Sequence, residues 1–240
     1  YDKQKGKTFS AHPKDICFEN YLYEAKLNDQ YFANPNSIEN SFAQKESEWS
    51  TLIDHIIKNC DTPNNDNAFI VTRNEKRQLA DFFYNLFARN PYNMEMMHRS
   101  MEQLGWHDEV HLFANYGFGE DSHMCKYFDL HLAFEDHTLQ NEFCNDLLQS
   151  YFYVGVTSNG SFPTSDCPFY ISGNIRLYGF IPITPKYIFI WSAKKIGQRA
   201  NCKIFLHQTA AENLKKYYMD FKAVNLIITN NSQKRKDFKP

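Results

Sequence analysis

The sequence predicts an α+β fold in which a helical central portion packs with a mostly antiparallel, β-rich C-terminal portion. Three observations predict it. Apolar residues recur at three- and four-residue spacing over Ser37–Cys60 and again over Asn74–Arg89, as in amphipathic helices. Beyond Tyr151 the texture changes to short β-branched and aromatic runs, broken at Ser158-Asn159-Gly160, Pro163, Pro182 and Pro185. No internal repeat divides the 240 residues, a length that one domain can fill with a real core. The single domain 1–240 reads as a hairpin and irregular entry (1–36), a helical part (37–151), a β-rich part with one late helix (152–230) and a frayed basic tail (231–240).

Tyr1–Ser10 alternates weakly and turns at Lys5-Gly6-Lys7, a short β start. Pro13 and Pro35 break the mixed stretch that follows. In Ser37–Cys60, Ser37 is a good N-cap, and Ile38, Phe42, Trp49, Leu52, Ile53, Ile56 and Ile57 form the apolar stripe. Asp61–Asn67 is a surface connection. The helix Asn74–Arg89 buries Leu79, Phe82, Phe83, Leu86 and Phe87 and stops before Pro91. Its last turn carries Arg89, where the helix dipole favours a cation. Met94, Met97, Met101 and Leu104 keep helical spacing, and Asp121–Asp136 and Leu139–Tyr151 read as two more helices. Then come a strand from Tyr151, a hairpin turn at Ser158-Asn159-Gly160, and a second strand interrupted at Pro163. Ile175–Ala193 holds two short strands, His207–Met219 a helix, and Val224–Thr229 a last strand.

A net charge of -2 provides no global basic field, so any nucleic-acid partner must meet a local patch. The 21 Phe and 15 Tyr, with abundant Asn and Lys, reflect AT-rich codons rather than a base-stacking platform. Six cysteines are scattered without a C-x-x-C pair, which points to free thiols in a reducing cytoplasm rather than a disulfide scaffold. No apolar run is long enough to span a membrane. The chain opens on Tyr1 rather than Met, so the missing secretory leader is a statement about these residues alone.

Three constellations can carry chemistry. Glu39 and Glu46 differ by only about 20° around a helix axis and fall at the edge of the apolar stripe. A carboxylate leaning inward must be paired, hydrogen-bonded, protonated or metal-bound; the alternative is that both snorkel to solvent or bridge an arginine structurally. With Arg89 from the neighbouring helix they form either a structural ion-pair cluster or an anion-handling site. In Thr164-Ser165-Asp166-Cys167-Pro168 the backbone leaves its strand in a turn, where Asp166 either faces a cleft or caps its own backbone. Cys167 is a nucleophile only with a base beside it. His107 and His111 stand four apart, a zinc-site spacing, but Asp108 occupies the position where the zincin pattern needs Glu; zinc is discounted.

In their order these pieces resemble the bacterial and archaeal domain-of-unknown-function family 4238. Its opening hairpin matches Tyr1-Asp2-Lys3 and Gly6, and its aromatic-acidic segment aligns with Cys17-Phe18-Glu19-Asn20 to Tyr23. Its paired helical glutamates match Glu39 and Glu46, and its Arg-Thr-Pro helix end matches Arg89-Asn90-Pro91. Its Thr-Ser-Asp-x-Pro turn matches Thr164, Ser165, Asp166 and Pro168, and its Pro-Leu-Ser-Pro strand entry matches Pro182-Ile183-Thr184-Pro185. A late helix matches Gln208–Tyr218. Asn90 departs from the family's Thr, and the family's His-x-x-Pro opening is absent. The resemblance supports this choice of residues more than any one reaction.

Two functional expectations follow. One is a metal-dependent hydrolase, a nuclease or other phosphodiesterase acting as a toxin or phage-defence effector. There Glu39, Glu46 and Asp166 hold Mg or Mn or serve as acid and base, Arg89 neutralises phosphate, and Thr164 and Ser165 help to bind substrate. The other is a non-catalytic sensor or interaction module that binds a small anionic ligand through the acidic/Arg cluster. Nucleic acid, a nucleotide or a protein partner suits these readings; a membrane does not.

Overall fold

The computed structural model describes residues 2, 4–5, 7, 26–27, 30–31, 37–62, 71–90, 92–93, 137–157, 162–172, 179–196, 199–221, 224 and 227–228. The expected helices over 94–104 and 121–136, His107 and His111, residues 158–160 and the basic tail lie outside them. The elements are β1 (Lys26–Leu27), β2 (Gln30–Tyr31), α1 (Ser37–Asp61), α2 (Arg73–Ala88), α3 (His137–Gln149), β3 (Tyr151–Thr157), β4 (Thr164–Ser165), β5 (Tyr170–Ile171), β6 (Gly179–Pro182), β7 (Tyr187–Ser192), β8 (Cys202–Leu206), α4 (Gln208–Asp220) and β9 (Ile227–Ile228). At the start, Asp2 and Lys7 form an antiparallel bridge, and the Lys5 N–H donates to Asp2 Oδ1 at 2.9 Å, closing the expected turn. That backbone hydrogen bond holds the Asp2 carboxyl below its ordinary range.

Sequence and structure agree on the α+β class, with a five-stranded sheet in the order β5-β6-β7-β3-β8 as its centre. All its pairs are antiparallel except β3 with β8. β3 and β7 are nearly continuous apolar runs, YFYVGVT and YIFIWS, which is what a strand buried on both faces requires. The expected hairpin from β3 into the next strand does not form: both flanks of β3 are taken by β7 and β8, and β4 pairs instead with β9. A turn signal reports a local reversal, whereas pairing is settled by which strands bury the same face. The third helix also stops earlier than expected, at Gln149, because Tyr151 already pairs with Ser192.

Register separates the faces. Phe152, Val154, Phe189, Trp191 and Lys203 share one of them, since Phe152 pairs with Trp191, and Val154 with both Phe189 and Lys203. This face meets α2, where Phe83 lies 4.9 Å from Trp191 between ring centroids. Gly179 leaves the space that Phe83 needs, for a Cβ there would stand 3.1 Å from the ring. The other face carries Tyr153, Ile190 and Phe180, and Phe180 packs on Phe162 and on Tyr218 of α4. The sheet thus lies between α2 with its neighbouring helices and α4. Phe169 joins these layers around the β5 edge, touching Phe83 and Phe87 on one side and Phe221 on the other.

α2 is the hub of the helical layer. Thr72 accepts from the Glu75 N–H while the Glu75 carboxylate accepts from the Thr72 N–H, a complete capping box that starts the helix one residue before the expected Asn74. Its buried side includes Lys76, Ala80, Tyr84, Asn85 and Ala88 as well as Leu79 and Phe83, so it is covered on more than one face. α3 contributes Phe143, stacked on Phe87 and edge-on to Phe83 and Tyr84. α1 runs antiparallel to α2, with Trp49 against Phe82, His55 beside Glu75 and Glu46 beside Arg89.

Two buried lysines tie helix C-termini down. Lys76 Nζ donates to Leu148 O at 2.9 Å and to Ser150 O, at the end of α3. Lys203 Nζ reaches across from β8 to Cys60 O, 3.1 Å, at the end of α1. Each places a cation where the last helical carbonyls lack intrahelical donors.

Candidate functional site

Two members of the predicted cluster, Glu46 and Arg89, meet at one end of the α1–α2 pair. α2 closes on Arg89 as its C-cap, whose N–H donates to Asn85 O at 3.1 Å. The chain then exits through Asn90, whose Oδ1 accepts from the Tyr92 N–H across Pro91, while Asn93 donates to Phe87 O. Asn90 therefore performs, in place of the Thr expected from the resemblance, the side-chain-to-backbone turn that either residue can make. This exit fixes the direction in which Arg89 leaves the helix.

The Arg89 guanidinium lies 4.3 Å over the Phe42 ring and donates from Nη1 to Glu46 Oε1 at 2.5 Å. Phe42 stands four residues before Glu46 and three after Glu39, so the three positions share one face of α1. For Glu39 only this backbone placement is described. The Arg89 side chain is 19% exposed and that of Glu46 52%, so the carboxylate meets water rather than the interior. That corrects the expected inward lean. Ala43 to Glu48 are all exposed, and the stripe regains the interior at Trp49.

The Thr164–Cys167 turn belongs to the α4 layer. Ser165 is buried; its hydroxyl lies 2.6 Å from Cys167 O, accepts from the Cys167 N–H at 3.1 Å and pairs with Tyr218 Oη at 2.8 Å. Tyr218 Oη also donates to Cys167 O at 3.0 Å, so Ser165, Cys167 and Tyr218 close one buried knot. Thr164 is exposed on β4, and Asp166 is half-buried, with its charge beside Cys167 and Tyr218. The Cys167 thiol is fully buried, and burial pushes it up to about 12. Such a thiol is structural rather than reactive.

The described contacts thus bring together Glu46 and Arg89 and assign Ser165 to a separate network. Among the described residues no three His, Cys, Asp or Glu side chains are grouped to hold a metal ion. At Glu46 a divalent cation would share the carboxylate with a guanidinium already in contact with it.

Sequence reasoning missed three participants. Phe42 is buried, as its place in the apolar stripe predicts, but it also serves as the platform for the Arg89 guanidinium, a role its position between two glutamates marks. Tyr218 lies 53 residues from Ser165, and no local signal joins them. The third is Asp61, which accepts from Lys186 Nζ at 2.6 Å and from Tyr187 Oη at the end of α1. Both hydrogen bonds lower the Asp61 carboxyl.

Fold and contacts define an α+β protein whose described acid–arginine pair sits where two antiparallel helices meet. The chain belongs to the family described as "Protein of unknown function (DUF4238)", which matches residues 1–235. No curated protein and no solved structure matches it. Among the described residues no helix is long and apolar enough to cross a membrane.

Proposed function

We propose that this chain binds a small anionic, phosphate-bearing ligand, a nucleotide or a nucleic-acid phosphate, through Arg89. The observation that carries the reading is the guanidinium seated on Phe42, with a half-exposed carboxylate as a described ion-pair partner. A planar fork braced against a ring is preorganised for an oxyanion, and an exposed glutamate is a partner that a phosphate can replace. A sensor or interaction module needs no more than this.

A second reading has its own support in the register of α1. Glu39 and Glu46 lie two turns apart on one face of α1, where each carboxylate could serve as acid, base or single oxygen ligand for Mg or Mn in a cytoplasmic phosphodiesterase or nuclease acting as a toxin or phage-defence effector.

Fluorescent nucleotide and labelled oligonucleotide, each with and without Mn²⁺, separate the two. Binding by the wild type should weaken about tenfold or more in Arg89→Lys, which keeps the charge but loses the fork, with the melting temperature nearly unchanged. Mn²⁺-dependent cleavage abolished in the Glu39→Gln, Glu46→Gln double variant would transfer the conclusion to the hydrolase. Neither binding nor cleavage would sink both.

A further inference from the structure

We infer that the β7–β8 connection and β8 itself form a docking surface for single-stranded nucleic acid; this does not rest on Arg89. Charge is the first ground. Between Asp166 and Glu212 the sequence carries Arg176, Lys186, Lys194, Lys195, Arg199 and Lys203 and no acidic residue, in a chain whose net charge is -2. Lys194, Lys195 and Arg199 fall in the β7–β8 connection, and all three are exposed. Such segregation supplies the local basic patch that a polyanion requires of a mildly acidic chain.

The second ground is that these cations stand on a braced backbone. Ser192 Oγ donates to Lys194 O at 2.7 Å and accepts from the Lys194 N–H at 3.2 Å. The Tyr153 hydroxyl accepts from the Ile196 N–H at 3.1 Å, and the Asn201 N–H donates to Phe152 O at 2.8 Å, so both arms of the connection are pinned to the start of β3. Asn201 takes a left-handed φ of 55° as the chain turns into β8, and the Cys202 thiol donates to Arg199 O at 3.0 Å. A backbone held in this way loses little freedom when its side chains meet phosphates. The third ground is apolar exposure. Ile196 is 50% exposed beside the start of β8, and Phe205 is 65% exposed near its end, on the strand that closes the order of the sheet. Phe205 pairs with Val156 and so belongs to the face opposite Tyr153, to which the Ile196 N–H is bound. A flat bilayer meets one face, whereas a flexible strand running along β8 can use both. Phosphates then lie on the loop cations while a base stacks on Phe205, whose ring has Lys203 Nζ 5.2 Å from its centroid.

The test follows a fluorescein-labelled oligo(dT) strand by anisotropy over a range of salt concentrations. It compares wild type with Phe205→Leu and with a loop variant carrying Lys194→Gln, Lys195→Gln and Arg199→Gln. A control variant, Lys45→Gln with Lys58→Gln and Lys216→Gln, removes the same charge from exposed positions on α1 and α4. The surface requires the loop variant to bind about tenfold or more weakly at low salt, with a slope of log K against log salt shallower by about two, as the loss of three phosphate contacts demands. Phe205→Leu should weaken binding about fivefold with the slope kept, and the control should match wild type. All the substituted side chains are exposed, so melting temperatures should stay close to that of wild type. Equal loss in the control would reduce the effect to general charge and overturn the surface. Unchanged binding in Phe205→Leu, or tighter binding of the matching duplex, would overturn the single-stranded assignment. Capture by phosphatidylserine vesicles without oligonucleotide binding would put a membrane in its place, and no saturable binding at all would end the inference. Arg89→Lys is read separately against the nucleotide, so failure here leaves that reading standing.

Discussion

Tyr218 shows how much one buried hydroxyl decides here. Its ring packs against Phe162 and Phe180, and its Oη reaches Ser165 and the Cys167 carbonyl, so the Thr164–Cys167 turn takes its shape from a helix more than forty residues further on. Burial pushes its phenol well above the ordinary value, with the Ser165 and Thr164 hydroxyls opposing. Tyr218→Phe keeps the ring and removes only these hydrogen bonds, which should lower unfolding free energy by about 1–2 kcal/mol in urea titration. An unchanged midpoint would mean that the knot is held by Ser165 and Cys167 alone. At this scale the sequence was informative about Glu46 and Arg89, because helical spacing and a helix end are local properties. It was uninformative about Ser165, whose partner is remote, and about the exposure of Glu46, which depends on where the neighbouring helix stops.

Among the elements, α2 carries the most consequences, since it packs on α1, α3 and the sheet at once and delivers Arg89. Its start depends on the reciprocal pair of Thr72 and Glu75, a T-x-x-E signature that sets the helix one residue ahead of the start its apolar spacing predicts. Thr72→Ala should cost about 1 kcal/mol and lower the melting temperature by roughly 2–4 °C, while leaving phosphate binding at the far end of the helix unaltered. A larger fall in binding than in stability would show that the cap and Arg89 are coupled along the helix. Lys76 and Lys203 make a related point. Each looks like a surface residue by type, yet each spans an interface to neutralise the end of another helix, an arrangement visible only once the helices are docked.

For the molecule as a whole, burial of the thiols sets a pH dependence. Burial raises Cys60 to about 11 and Cys144 and Cys167 to about 12, against roughly 8.5 in an unfolded chain. Between those values the folded state holds protons that the unfolded state has released, so this stability is complete below about pH 8.5 and is lost as pH rises. Lys76 works in the opposite sense, since burial lowers it to about 8 and the unfolded lysine titrates near 10.4. The thiols outnumber the one lysine, so stability should fall as pH rises above about 9. Unfolding midpoints measured from pH 8 to 10.5 would test this, and a flat or rising profile would contradict it.

The sequence by itself determined the α+β class, the helices around Phe42–Ile56 and Leu79–Phe87, the strands at Tyr151 and Tyr187, and the approach of Arg89 to the acidic face of α1. All of these follow from periodicity, end signals and residue type, which act within a few residues. The tertiary structure alone decided that β3 pairs with β7 and β8 rather than with its neighbour in sequence, that α4 takes the opposite side of the sheet from α2, and that Glu46 faces water. Those outcomes depend on which apolar surfaces bury one another, and burial is a property of the assembled layers rather than of any segment.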